Sequence, residues 1–115
     1  MEWDRLQRAA SLELERCQRR LPGPLRERLK ACRLVLEEFC EWDRQCLGVF
    51  EGLPVYQQAA EPSQLPQIRL FLGALWEFSG RNPREFRVQV SITLLHELGH
   101  FLGLDEGQVR CLGLE

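Results

Sequence analysis

The sequence predicts a fold that mixes helices with a small sheet, and three observations carry that expectation. Apolar residues recur at helical spacing over residues 3–20 and again after Asn82. Between these stretches lie short apolar runs of strand character, bounded by glycine and proline. The chain has 115 residues, 44% hydrophobic and 28% charged, which suits one globular domain with a modest core. A single domain over residues 1–115 is therefore expected.

The elements follow in order. Trp3, Leu6, Ala10, Leu14 and Cys17 form one apolar stripe, with Arg, Glu and Gln on the other face, so residues 3–20 form an amphipathic helix. Leu21-Pro22-Gly23-Pro24 ends it. Residues 25–30 make a short helical turn. Residues 32–37 and 46–51 read as strands, joined by a charged connector in which Phe39 and Trp42 are the candidates for burial. Gly52-Leu53-Pro54 turns the chain, residues 55–57 form a brief return strand, and residues 58–67, with Pro62 and Pro66, form a surface loop.

Residues 68–72 are the best strand in the chain, and are expected to be a sheet edge beside a cleft, open to an extended peptide. One helical turn with Leu75, Trp76 and Phe78 follows. Asn82-Pro83-Arg84-Glu85 then opens a helix: Asn82 is the N-cap, Pro83 suits the first helical position and Glu85 completes a capping box. Val88, Ile92, Leu95, Gly99 and Leu102 form its main apolar stripe, and Phe86, Val90 and Leu94 an adjoining face. So apolar a helix is expected to be buried under the sheet. Gly103 ends it in the left-handed conformation, and residues 105–112 form a short terminal helix or turn.

Composition excludes some function classes. A net charge of −2 gives no reason to expect a nucleic-acid partner. No apolar run approaches the roughly 18–20 residues of a membrane span, and the charged N-terminus lacks the apolar core of a signal peptide. The five cysteines, Cys17, Cys32, Cys40, Cys46 and Cys111, cannot all pair and show no C-x-x-C spacing. They point to reduced thiols and a cytoplasmic location. They read as small, partly buried apolar residues, with metal ligation or redox sensing as the alternative.

The chemistry concentrates at the end of the second long helix. Both histidines of the chain, His96 and His100, stand four residues apart, with Glu97 directly after the first. Residues at this spacing share a helix face, so both imidazoles can reach one metal ion while Glu97 sits beside it. The expected metal is a single zinc ion. Gly103 lets the chain turn back, and Glu106 stands ten residues after His96, where the longer H-E-x-x-H-x-x-G-x-x-H pattern places its third ligand. Glu106 is the preferred third ligand, as a carboxylate, and Asp105 the alternative. Asp105 otherwise caps the last helix or accepts a hydrogen bond from a ligating histidine. Glu97 is the expected general base. Tyr56, the only tyrosine, is either ordinary packing or an oxyanion donor.

The chain resembles the small bacterial zincin-like metallopeptidases. The resemblance rests on LLHELGHFLGLDE (residues 94–106), the preceding IRLFLGALWEFSGRNPREFRVQVSIT (residues 68–93) and, more loosely, LGVFEGLPV (residues 47–55). It covers the chain from about Leu25 onward. It implies an α+β fold, a minimal zincin-like domain with a few-stranded sheet on two main helices, the second bearing the metal motif. It also implies a peptidase acting on peptides or proteins. His96, Glu97, His100 and the Asp105/Glu106 pair match its motif.

The chain departs from larger metzincins: nine residues follow Glu106 and the only methionine is Met1, so no Met-turn is expected. The cleft is then shallow, or is completed by a partner protein or an oligomer. Two rival readings stay open. One is a non-catalytic zinc-binding or interaction module. The other is a zinc-dependent endoribonuclease-like hydrolase, similar to the bacterial endoribonucleases of ribosomal RNA maturation. Against it stand Glu97, which those enzymes lack, and the absence of net basic charge.

Overall fold

The computed structural model describes residues 2–52, 66–105 and 107–108. Helix α1 spans Trp3–Arg20 and buries Leu6, Ala10, Leu14 and Cys17, the stripe read from the sequence. Arg19 and Arg20 in its last turn complement the helix dipole. Helix α2 spans Gly23–Lys30, two residues more than expected. Pro22 takes the N-cap position in extended backbone and Pro24 lies in the first turn. A proline run that ends one helix thus starts the next, because its fixed φ suits a first turn.

Strands β1 (Arg33–Glu37), β2 (Gly48–Glu51) and β3 (Gln67–Phe71) form a three-stranded sheet of order β1-β3-β2. β1 runs parallel to β3 and β2 antiparallel to it. The expectation that residues 68–72 form a sheet edge is overturned: β3 is the central strand, hydrogen-bonded on both sides. Its apolar run was the signature of a strand covered on both faces rather than of an edge. Leu34, Leu36, Phe50, Ile68 and Leu70 join the main core with the helices. Val35, Arg69 and Val49, paired across the sheet one residue along, face the other way.

The connector between β1 and β2 crosses β3 like an arch. Glu38 O accepts from Gly73 N at 2.8 Å, and Leu47 O accepts from Phe71 N at 3.0 Å. Beneath it Cys40, Phe71 and Ala74 form a second core, joined by Phe39, Cys46, Leu47 and Val49. Trp42, expected to be buried, is 60% exposed. It lies on the outside of Arg69, its ring 5.5 Å from the guanidinium. The space beneath is filled by that arginine, whose guanidinium meets Glu37, Glu41 and Glu51.

Helix α3 spans Leu72–Phe78 and buries Leu72, Gly73, Ala74 and Leu75, while Phe78 is exposed. Helix α4 spans Pro83–Phe101. Asn82 Oδ1 accepts from Glu85 N at 3.0 Å, as the start signal predicted. The reciprocal half of a capping box is replaced by Asn82 N donating to Ser79 O at 3.3 Å. The two apolar faces of α4 exchange roles relative to expectation. Phe86, Val90, Leu94, Leu98 and Phe101 are fully buried, while Val88 and Ile92 are exposed. The buried face carries both phenylalanines, so turning it inward removes more apolar area from water. α4 packs against β2 and β3, and α1 packs on α4 and α3. No helix among the described residues is long and apolar enough to cross a membrane.

Candidate metal centre

The last two turns of α4 carry the centre. His96 and His100 lie one turn apart, and their Nε2 atoms stand 3.1 Å from each other with ring planes at 82°. One ligand atom from each of His96, Glu97 and His100 falls within 4.8 Å of the others. His100 is exposed, His96 half-buried and Glu97 buried.

This donor set fits zinc. Two imidazole nitrogens at 2.0–2.1 Å from a tetrahedral ion would stand about 3.3–3.4 Å apart. The observed separation needs to open by only a few tenths of an ångström. A hydrogen bond between the two rings needs a proton on one Nε2. Ligation needs both lone pairs, with each ring proton on Nδ1.

The helix end is built to turn. Gly103 has φ 75°, the left-handed conformation anticipated for it. Gly103 N donates to His100 O at 2.9 Å and Leu104 N to Gly99 O at 2.9 Å, which together make a complete Schellman motif. The chain therefore reverses directly after the second histidine. Asp105 then closes a reciprocal capping box. Its Oδ1 accepts from Gln108 N at 2.8 Å, while Gln108 Oε1 accepts from Asp105 N at 2.9 Å. Among the described residues Asp105 does not join the metal-binding group. Glu106, Tyr56, Cys111 and the return strand expected at residues 55–57 lie outside the described residues.

A groove of about 450 Å³ runs between β2 and the metal motif, lined by Gly48, Val49, Phe50, Gly52, Glu97 and His100. β2, not β3, is therefore the wall beside the histidines, and among the described strands it is an outer one. Sequence reasoning identified β2 as a strand but missed it as a wall. The signal available was glycine at both ends of a short apolar run, Gly48 and Gly52. Gly48 lets β2 approach the helix, for a Cβ there would meet Thr93 Cγ2 at 2.7 Å and Arg69 O at 3.2 Å. Phe50 meets Phe101 with ring centroids 5.6 Å apart, fastening the wall to the last turn of α4.

The described cysteines take no part in this centre. Cys17, Cys32 and Cys40 are buried in the cores. Burial raises the thiols of Cys17 and Cys46, and pushes that of Cys32 up to about 11.

A family model described as zincin-like metallopeptidase matches residues 29–114. No curated protein matches the chain.

Proposed function

The chain belongs to the zincin-like metallopeptidase family, and from that premise we propose that it hydrolyses peptide bonds in a zinc-dependent reaction. His96, His100 and Glu106 hold one zinc ion, and Glu97 is the general base. The observation that carries this reading is the convergence of one ligand atom each from His96, Glu97 and His100 within 4.8 Å, beside an open groove that Glu97 and His100 line. The capping of Gln108 N by Asp105 supports Glu106 over Asp105 as third ligand, because it holds one Asp105 oxygen in a different task.

Bound zinc supplies a Lewis acid that polarises the scissile carbonyl and makes water acidic enough to react near neutral pH. The chain's own groups do the rest. His96 and His100 present their Nε2 lone pairs from one helix face, and the Schellman turn at Gly103 reverses the chain directly after them. Glu97, buried and lining the groove, takes the proton of the attacking water and passes it to the departing amine. The substrate is a peptide or protein segment in extended form. It lies along β2, the outer strand beside the histidines among the described ones.

Cleavage of a peptide library, read by mass spectrometry with and without zinc, tests the proposal. The wild-type protein cuts and Glu97→Gln, equally loaded with zinc, cuts at least about 100-fold more slowly. Equal turnover by the two proteins would remove Glu97 from the role of base. A wild-type protein that binds zinc and cuts nothing would leave a zinc-binding module instead.

A further inference from the structure

The arch over β3 holds a second reactive pair, independent of the metal centre. Cys40 and Cys46 pack in one small core with Phe71, Ala74, Leu47 and Val49. Both ends of the arch are tied to the junction of β3 and α3, at Phe71 N and Gly73 N. Inside it, Cys46 N donates to Asp43 O at 3.0 Å, and Gln45 N to Asp43 Oδ1 at 2.9 Å, so the segment before Cys46 is a closed turn. Cys40 is 5% exposed and Cys46 half-buried. The Cys46 thiol donates to Gly48 O at 3.4 Å and packs against the cluster that holds Cys40.

This geometry points to Cys40 and Cys46 as a dithiol that peroxide oxidises to an intramolecular disulfide, clipping the arch closed. Cys46, the more open of the two, meets the oxidant. Its sulfur attacks one peroxide oxygen, giving a sulfenic acid and releasing water. The Cys40 sulfur then displaces the hydroxyl, which leaves as a second water, so two thiols and one hydrogen peroxide become one disulfide and two waters. Burial first, then Cys40 and Asp43, hold the Cys46 thiol above its ordinary range, so the first attack is slow. The modification has a local consequence at β2. A disulfide has no S–H, so Gly48 O, at the start of the groove wall, loses the donor that Cys46 provides.

Trypsin separates the thiols cleanly, because Arg33, Arg44 and Arg69 bracket Cys40 and Cys46 on different peptides. The full-length protein is incubated with millimolar hydrogen peroxide, alkylated under denaturing conditions and digested without reductant. The expected result is a dominant species linking residues 34–44 to residues 45–69, with Cys17 and Cys32 still alkylated and the link removed by dithiothreitol. In Cys40→Ala the same treatment leaves Cys46 as a sulfenic acid that dimedone labels. The proposal is overturned if Cys46 pairs mainly with another cysteine. It is equally overturned if Cys40 and Cys46 both remain free thiols, or if Cys46 passes to sulfinic acid with Cys40 present.

Discussion

A methyl group on Gly48 of β2 would meet Thr93 Cγ2 of α4 at 2.7 Å. Strand β2 and the helix of the candidate metal centre are therefore in contact through the absence of a side chain, one turn before Glu97. Gly48→Ala should destabilise the fold by about 1–3 kcal/mol, the usual cost of overpacking. Adding Thr93→Ser, which removes the opposing methyl, should recover part of the loss. Urea unfolding of the two variants and the wild type measures both effects, and no recovery would mean that the Arg69 carbonyl is the true obstacle.

In the proposed centre the two histidine nitrogens, 3.1 Å apart, act as one ligand pair. His96→Ala and His100→Ala should each weaken zinc binding by more than about 100-fold, since even removing the hydrogen-bond partners of ligands costs 10–100-fold. Glu97→Gln should bind zinc within a few-fold of wild type. Calorimetric titration with zinc gives the three affinities, and an intact affinity in either histidine variant contradicts the assigned centre.

Asp105 and Glu106 separate by what each loses. Asp105→Ala removes the cap on Gln108 N and should cost up to about 1 kcal/mol of local stability while leaving zinc affinity within a few-fold. Glu106→Ala should instead lower zinc affinity strongly. The same titration decides, and the reverse ranking would make Asp105 the ligand.

Arg69 is buried among carboxylates from β1, the arch and β2: Glu37 at 2.6 Å, Glu41 at 2.7 Å and Glu51 at 3.4 Å. Arg69→Met leaves these three facing one another and should cost about 2–4 kcal/mol, less than a fully buried pair because the carboxylates reach solvent. The hydrogen bond from Arg69 holds Glu41 below the ordinary carboxylate range. A lowered value gives stability that is present above that range and lost as pH falls through it. Wild-type stability should therefore decline on acidification below roughly pH 5, and Arg69→Met should show a shallower decline. Denaturant midpoints across pH measure both slopes.

Cys32 works in the opposite direction. Desolvation pushes its thiol from 9.0 up to about 11. A raised value gives stability that is complete below the unfolded value and is lost as pH rises toward the folded one. The fold should weaken by on the order of 1–2 kcal/mol between about pH 9 and 11. Cys32→Ala should remove that alkaline dependence, at the cost of a small cavity, and thermal unfolding at several alkaline pH values would show it.

Much of this arrangement was legible in the sequence. The α1 stripe, the Asn82 cap, the Gly103 turn and the pairing of His96 with His100 are local features. They are fixed by helical spacing, capping chemistry and backbone freedom within a few residues, and each appears where the pattern places it. The motif on residues 94–106 also announced the family.

Other features depended on how the elements pack. Only the tertiary structure placed β3 in the centre and β2 beside the histidines, because strand order comes from pairings distant in sequence. Only packing chose which of two apolar faces of α4 turned inward, since local periodicity offered both and the buried area of Phe86 and Phe101 decided. The same holds for Trp42, left outside because Arg69 and its carboxylates occupy the space beneath it. By itself the sequence determined which groups the chain carries to the candidate metal centre. The fold decided which strand stands across from them, because that choice is made by long-range contacts that no local pattern records.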